Sequence, residues 1–363
     1  MDVDTSAPSA SYIEVVRKQK AHSKPLIGVR FVKDPDTREN YFVTVAHDNM
    51  KVWALEGYGR EHFGLKLRRQ VGVGRCTVQD FDVSPTGRLS ATLGVDGTLQ
   101  HNVLVGDAFE PNTQKFNNGY MNMRYCAMIG DGYLTLSFKG ALKIIGFDGV
   151  TKRSADIDTG HIKLRNVTAV AISTDCQQIA LASNEGHVCL IEGESLKSSP
   201  TFEAHMKRIR SMAFLTNNER LLTACDDKTV RLHSTGPPEE GQKKPIRTYC
   251  GHTALVTGLA VDRSSGDKRF ASCGNDKRCI LWDVESGEKL HVFDAAYDSS
   301  LNCVAFSADG KYLAFGSEEG ALFANELPSI GDADGNSEEN AVGNEEMQID
   351  DYPEHESMDA SAE

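Results

Sequence analysis

The sequence predicts an all-β chain in which seven copies of one four-stranded unit close into a seven-bladed β-propeller. Three observations support this prediction. One pattern recurs with reference positions 42 to 49 residues apart, at 48, 96, 139, 185, 227, 276 and 319. Both tryptophans, Trp53 and Trp282, occupy the same place in their copies. Each copy also has the alternating apolar pattern and turn residues of short strands.

The clearest copy begins at Gly251 and shows the order of its elements. The segment LVTGLAV alternates in hydrophobicity as a strand does, and the turn DRSSGD follows it. Next come the strand RFASCG, a tight turn at Asn275-Asp276, the strand CILWD, the turn VESGE and the strand KLHVF. Clear copies also open at His22 and His205, and weaker ones surround Asp96, Lys139, Glu185 and Glu319. A Pro- and Gly-rich surface excursion at 234–247 explains the longest interval.

The last copy of the repeat lacks a fourth strand, and the segment before the first copy is a strand without a partner. The last copy stops after its third strand, before Pro328, whereas SYIEVVRKQKAH at 11–22 alternates without a hairpin partner. We therefore expect Tyr12 to Lys18 to form the outer strand of the seventh blade and to close the ring.

Charge divides the chain into a neutral body and an acidic end. The formal net charge is −13, but residues 331–363 hold twelve Asp or Glu and no Lys or Arg. This composition predicts a disordered tail that aids solubility or docks on a basic partner. The predicted organisation is a disordered N-terminus at 1–10, the propeller at 11–330 and the acidic tail at 331–363. The neutral body argues against direct nucleic-acid binding.

The nine cysteines are scattered singly, without a CxxC pair, which is typical of buried thiols in a reducing compartment. We find neither a signal peptide nor an apolar run of membrane-spanning length, so no membrane association is expected.

Gly251-His252, Asp276 and the pair Trp282-Asp283 resemble the WD-repeat propeller family, a likeness that extends over residues 11 to about 330. The resemblance implies that a loop His, a strand Ser or Thr, a turn Asp and the Trp form a hydrogen-bonded set that stiffens a blade. The matching sets are His252, Ser272, Asp276 and Trp282; His22, Thr44, Asp48 and Trp53; and His205, Thr223 and Asp227, with His233 in place of Trp. Because a buried Asp or imidazole is costly unless paired, a structural role fits these residues better than catalysis.

The sequence contains none of the common catalytic or nucleotide-binding motifs. GVGRCT at 72–77 has Thr77 where a dinucleotide loop needs Gly, and it precedes a strand pattern. GxxxxGK[ST], HExxH and GxSxG are missing from the sequence. We therefore expect no enzyme, no catalytic residue, no cofactor, no metal site and no small-molecule substrate.

The expected working part is the face built from the loops that enter each inner strand, because these loops are not needed for folding. Arg and Tyr beside apolar side chains are typical of interface hot spots. The candidate interaction residues are Leu26, Met121, Arg124, Arg165, Arg208, Arg210, Leu255 and Tyr297.

Within the family, KQKAHSKPLIGVRF, VTVAHDNMKVW and FEAHMKRIRSMAF, with an end soon after NELPSI, are similar to the small WD-repeat subunits of the superkiller complex. That resemblance implies a scaffold in the nucleus and cytoplasm. Its partners would be helical-repeat and helicase subunits of an mRNA-decay complex, or subunits of the polymerase-associated factor transcription-elongation complex. A chromatin subunit that binds a histone peptide is the alternative, and a propeller hydrolase is disfavoured.

Overall fold

The computed structural model describes residues 12–33, 40–57, 63–72, 77–84, 89–96, 98–103, 112–115, 120–126, 132–137, 141–146, 150–156, 167–236, 244–294 and 298–328. The predicted disordered segments at 1–10 and 331–363 lie outside these residues, as does Lys139.

Every long element in this part of the chain is a β-strand. The first is β1 (Ile13–Lys18). Blade one contains β2 (Leu26–Lys33), β3 (Asn40–Ala46), β4 (Asn49–Gly57) and β5 (Phe63–Gly72). Blade two contains β6 (Val78–Val83), β7 (Leu89–Gly94), β8 (Thr98–Val103) and β9 (Asn112–Lys115). Blade three contains β10 (Tyr120–Cys126), β11 (Gly132–Ser137), β12 (Ala141–Gly146) and β13 (Thr151–Asp156).

The remaining blades follow the same plan. Blade four contains β14 (Val167–Ile172), β15 (Gln178–Ser183), β16 (His187–Glu192) and β17 (Phe202–Glu203). Blade five contains β18 (Ile209–Phe214), β19 (Arg220–Cys225), β20 (Thr229–Ser234) and β21 (Arg247–Cys250). Blade six contains β22 (Val256–Val261), β23 (Arg269–Gly274), β24 (Cys279–Asp283) and β25 (Lys289–Phe293). Blade seven contains β26 (Leu301–Phe306), β27 (Tyr312–Ser317) and β28 (Leu322–Glu326).

These strands form seven four-stranded antiparallel sheets, which confirms the predicted seven-bladed all-β fold. The first strand of each blade contacts the first strands of both neighbouring blades, so these inner strands line the axis of the ring. The circle closes where β2 contacts β26.

The seventh sheet has the order β1-β28-β27-β26, as the two incomplete ends of the repeat region predicted. Strand β1 runs antiparallel to β28, from Ile13 opposite Glu326 to Lys18 opposite Leu322. Val15 and Val16 are buried on this strand. Before β1 begins, the Tyr12 ring stacks on His291 in blade six, with ring centroids 3.9 Å apart. The N-terminal segment therefore joins blade seven and also contacts blade six.

The core is divided among the interfaces between blades. In the described ranges, the buried apolar side chains form seven clusters, one between each pair of neighbouring blades. The cluster between blades seven and one contains Val16 of β1 together with Leu26, Trp53 and Cys303. Each blade is thus stabilised by burying both of its faces against neighbours.

The ends of the strands define two faces of the ring. The loops that enter the inner strands and the turns between the second and third strands lie together, because the second strand runs antiparallel to the first. We call this side the loop-rich face. On the opposite face, buried Asp262 accepts a 2.6 Å hydrogen bond from Arg269, which also donates to the carbonyl oxygens of Gly310 and Pro328. The turns on that face therefore link blade six to blade seven. No helix within the described ranges is long and apolar enough to cross a bilayer.

Removing residues 1–20 should destabilise the whole ring, because it deletes β1 and exposes one edge of β28. Each fully buried Val contributes roughly 1.5–3 kcal/mol, so we expect a loss of about 3 kcal/mol or more in the free energy of unfolding. Chemical denaturation of both proteins measures this loss. Glu14→Ala is the control, since Glu14 lies on the exposed side of β1 and should cost no more than about 1 kcal/mol. A shortened chain as stable as the full one would show that β1 does not close the ring.

Candidate functional site

Blade six holds a complete set of hydrogen-bonded side chains beneath the loop-rich face. His252 Nδ1 lies 2.9 Å from Asp276 Oδ2, and its Nε2 lies 2.7 Å from the Ser272 hydroxyl. The Trp282 indole N–H donates to the same hydroxyl at 2.8 Å. Ser272 and Trp282 are almost completely buried. These four residues join the entering loop, the second strand, the turn and the third strand of one blade.

Blade one repeats this arrangement. His22 Nδ1 lies 3.0 Å from Asp48 Oδ1, and Nε2 lies 2.8 Å from the Thr44 hydroxyl, which accepts a 2.8 Å hydrogen bond from Trp53 Nε1. The Ser23 hydroxyl donates to the other Asp48 oxygen at 2.7 Å. The turn carboxylate therefore fixes the entering loop at two points.

Blade five keeps three members of the set and changes the fourth. His205 Nδ1 lies 2.7 Å from Asp227, and Nε2 lies 2.8 Å from the Thr223 hydroxyl. His233 takes the place of the indole and packs edge-on against His205, with ring centroids 6.3 Å apart. A Trp at this place is therefore not required for the His, Thr and Asp contacts.

Electrostatics in blade one favour a neutral imidazole and an ionised carboxylate. Burial lowers the pKa of His22 below its ordinary value, despite the opposing influence of Asp48. Neutral His22 donates its Nδ1–H to Asp48 and accepts the Thr44 hydroxyl proton at Nε2. Burial raises the pKa of Asp48, but hydrogen bonds from Ser23 and His22 outweigh it and lower that pKa to about 2.

The corresponding acids of blades five and six behave similarly. Burial raises the pKa values of Asp227 and Asp276, but hydrogen bonds from His205 and Thr229 to the first acid, and from His252 and two backbone amides to the second, together outweigh it, so both values lie below the ordinary range. Each Asp is therefore an ionised acceptor held within its blade, with no role as a proton donor at neutral pH.

One trio resembles a metal site by distance alone. The ligand atoms of His205, Cys225 and Asp227 lie within 4.8 Å of one another. Both His205 ring nitrogens already contact Asp227 and Thr223, and the Cys225 thiol donates to the carbonyl oxygen of Lys207. Burial also raises the pKa of Cys225 to about 12, which disfavours the thiolate that a metal needs. The hydrogen bonds of the blade account for the trio.

The predicted interaction residues separate into exposed, engaged and buried positions. Arg208 is exposed on the loop-rich face, and Leu255 is half-buried there. The guanidinium of Arg210 donates through Nε and Nη2 to the carboxylate of Asp226, so it is bound within its own blade. Met121 and Arg124 lie in β10, whereas Arg165 and Tyr297 lie outside the described residues.

The prediction for Leu26 is wrong. Its side chain is completely buried in the cluster between blades seven and one. Leu26 is the first residue of β2 and pairs with Ala46, so it begins the strand instead of ending the loop. An apolar residue at that point fills the space between two blades.

A feature that the sequence did not reveal is the bulge at the start of each inner strand. In all seven blades the register with the second strand shifts after the first residue, as at Val167/Ala169 and Val256/Gly258. Thr168 and Thr257 occupy this bulge, and each hydroxyl donates to the first inner-strand carbonyl of the next blade, at 2.5 and 2.6 Å. These bonds tie neighbouring blades together at the mouth of the central channel.

The loop that enters blade five presents three adjacent exposed side chains, Met206, Lys207 and Arg208. Met206 is 82% exposed, which is unusual for a large apolar residue. Lys228, on the neighbouring turn, is also exposed. We call these four residues the basic sector. On blade seven the equivalent loop and turn carry exposed Asp298, Glu318 and Glu319, so the loop-rich face is polarised.

Three segments of the chain match the family described as WD domain, G-beta repeat: residues 196–234, 243–283 and 287–323. They include the inner strands of blades five, six and seven. The chain therefore contains WD40 repeats. Their residues His205, His252, Asp227 and Asp276 form the hydrogen bonds described above. The family is one of structural repeats, and the match indicates no catalytic family.

Known proteins are similar to this chain over part of their length. The chain is 31% identical over 132 residues to the guanine nucleotide-binding protein subunit beta of Saccharomyces cerevisiae, covering 35% of this chain and 30% of that protein. It is 25% identical over 159 residues to the target of rapamycin complex subunit wat1 of Schizosaccharomyces pombe, covering 43% and 48%. The matches thus span less than half of these relatives.

A solved structure agrees with the fold over a longer range. The WD40 β-propeller domain of Doa1 superposes with a TM-score of 0.67 and covers 87% of this chain and 97% of that domain. The sequence identity is 17%, so the similarity concerns the fold alone.

Ser272→Ala should destabilise the WD40 repeat of blade six, because it removes the acceptor of Trp282 Nε1–H and the hydroxyl partner of His252 Nε2. Each buried polar group left without its partner costs about 1–3 kcal/mol, so we expect a total loss of roughly 2–4 kcal/mol. Urea unfolding monitored by tryptophan fluorescence measures it. Ser272→Thr is the matched control, since blades one and five use Thr44 and Thr223 there, and it should lose less than half as much. Equal losses for the two variants would exclude the hydroxyl as the cause.

The stability gap between wild type and Asp48→Asn should narrow at low pH. The folded-state pKa of Asp48, about 2, lies below that of an unfolded Asp, near 3.9. Ionised Asp48 therefore stabilises the fold above about pH 4, and this contribution disappears as the pH falls toward 2. Free energies of unfolding at pH 7, 4 and 2.5 would test this expectation. A gap that stays constant over this range would contradict it.

Proposed function

We propose that this chain is a non-catalytic scaffold that binds protein partners through its loop-rich face. The supporting observation is a contrast between buried polar residues, which hydrogen-bond to one another, and exposed residues of the loop-rich face. The paired residues His22 and Asp48, His205 and Asp227, and His252 and Asp276 are engaged in hydrogen bonds inside blades one, five and six. In contrast, Met206 and Arg208 project from the loop that leads into blade five. Exposed apolar and Arg side chains on a rigid frame are suited to protein recognition.

At a finer level, we propose that the chain is a subunit of the superkiller mRNA-decay complex, of the polymerase-associated factor transcription-elongation complex, or of both. The supporting likeness lies in KQKAHSKPLIGVRF, VTVAHDNMKVW and FEAHMKRIRSMAF. Its partners would be the helical-repeat and helicase subunits of the first complex or the elongation subunits of the second. This role places the chain in the nucleus and the cytoplasm. The relative named as a target of rapamycin complex subunit supports assembly into a complex, without indicating which.

Among the described residues, the exposed acids of blade seven, Asp298, Glu318 and Glu319, are those that would favour the histone-peptide alternative. It needs an acidic or aromatic pocket at the channel mouth. Asp226 is held there by Arg210, and Tyr297 lies outside the described ranges.

Affinity purification of the tagged full chain, followed by mass spectrometry, tests the proposed function. Recovery of superkiller or elongation subunits supports it, recovery of histone-modifying subunits supports the alternative, and recovery of neither removes both. Arg208→Glu should lower the recovery of the main partner about fivefold or more, since a hot-spot residue contributes over about 1 kcal/mol. Lys268→Glu reverses an exposed charge on the opposite face and should leave recovery unchanged. Equal effects of the two variants would exclude the loop-rich face.

A further inference from the structure

We infer that the basic sector binds a short acidic peptide segment of a protein partner, with an apolar side chain of that peptide resting on Met206. This inference rests on the proposed scaffold function and specifies the chemistry of one partner. It is carried by the placement of Met206, Lys207, Arg208 and Lys228 on the loop-rich face of blade five.

Hydrogen bonds to the second strand and the following turn of blade five hold the backbone of the basic sector. The Lys207 carbonyl oxygen accepts from the Cys225 thiol at 3.3 Å, and the Arg208 carbonyl oxygen accepts from the Asp226 amide at 2.9 Å. His205, which precedes the sector, is fixed by Asp227 and Thr223. The exposed side chains therefore project from a preorganised loop, which lowers the entropy lost when a peptide binds.

The local charge is positive because the nearby acids are already engaged. Asp226 accepts from Arg210, and Asp227 accepts from His205 and from the amide and hydroxyl of Thr229. Across the ranges that the structure describes, Lys207, Arg208 and Lys228 take part in no ion pair within 4.0 Å. Peptide carboxylates would supply partners for these three cations, and the polarised face would disfavour the same peptide at blade seven.

Lys228 occupies a turn position whose backbone conformation favours glycine. Lys228 has a φ of 73°, in the left-handed region that favours glycine. The corresponding residues of the blade-four and blade-seven turns are Gly186 and Gly320, with φ of 88° and 83°. A lysine costs about 1 kcal/mol more than glycine there, and Lys277 of blade six adopts the same conformation with a φ of 65°. The two lysines differ in their surroundings, because only Lys228 lies beside the exposed loop of Met206, Lys207 and Arg208.

The described end of the chain lies away from the basic sector, because the carbonyl oxygen of Pro328, the last described residue, accepts a hydrogen bond from Arg269 on the opposite face of the ring. An external peptide is therefore the proposed occupant, and the chain's own acidic segment is an outcome of the test below. Nucleic acid is a poorer match, because one sector of three cations around an exposed Met lacks a charged track for a phosphate backbone.

Fluorescence anisotropy with the full chain can test the inference. The probe is a labelled short peptide with Glu and Asp residues around a central Leu-Phe pair, and the control probe has Gln and Asn instead. Wild type should bind only the acidic probe, less tightly as salt is raised. Lys228→Gly should weaken binding about fivefold, equivalent to about 1 kcal/mol, without lowering stability. Met206→Ser should weaken it to a similar extent.

Lys277→Gly is the matched control, since Lys277 occupies the equivalent turn position in blade six with a φ of 65°. It removes the same charge and relieves the same backbone conformation, and it should leave probe affinity unchanged. Equal weakening by Lys228→Gly and Lys277→Gly, or equal binding of the two probes, would overturn the inference.

Two further binding measurements distinguish a partner peptide from other ligands of the basic sector. If the probe bound only to a chain ending at Pro328, the sector would be a site for this chain's own acidic segment, and a partner peptide would be excluded. Tighter binding of a labelled oligouridine, lost in Lys228→Gly, would also overturn the inference. Partner recovery by affinity purification without probe binding would remove the acidic-peptide inference and leave the scaffold function intact.

Discussion

Closure of the ring is the constraint on which the rest of the structure depends. A four-stranded blade has two apolar faces and cannot shield both by itself, so each of the seven hydrophobic clusters needs contributions from two neighbours. An open row of blades would leave two such faces exposed to water. Pairing of β1 with β28 removes this problem, because it completes blade seven with a strand from the start of the chain. Val15 and Val16 then become part of the interface with blade one.

Within blades one, five and six, buried polar sets determine which loops are rigid. The imidazole of His22, His205 or His252 connects a turn carboxylate to a hydroxyl on the second strand. Satisfied networks of this type stiffen a structure, since any displacement leaves a polar group without a partner in an apolar environment. The loops above them can therefore present side chains in fixed positions. The same hydrogen bonds that fold the blades prepare the surface for recognition.

The sequence was sufficient for the parts of the fold that repeat. The period, the turn residues and the matching positions of Trp53 and Trp282 predicted seven blades, because they recur from unit to unit. The two incomplete ends of the repeat region predicted the closing strand. Individual surface positions were less predictable. Leu26 is predicted to be a loop residue, but it begins an inner strand, and a one-residue error at a strand end changes an exposed residue into a buried one. The pairing of Arg210 with Asp226 and the bulge hydrogen bonds of Thr168 and Thr257 depend on contacts between strands, which a single sequence does not display.

The pairing of β1 with β28 also has a consequence for how the molecule reaches its native state. Ile13 is synthesised before its partner Glu326, which emerges more than 300 residues later. The first strand must therefore wait, unpaired, until nearly every blade has left the ribosome, and such distant contacts form slowly. Glu14 and Arg17 lie between the buried valines and the ends of this strand, and charges at such positions oppose pairing of an unpaired strand with other chains. The strand that closes the ring is therefore the first of its strands to be synthesised and the last to be paired.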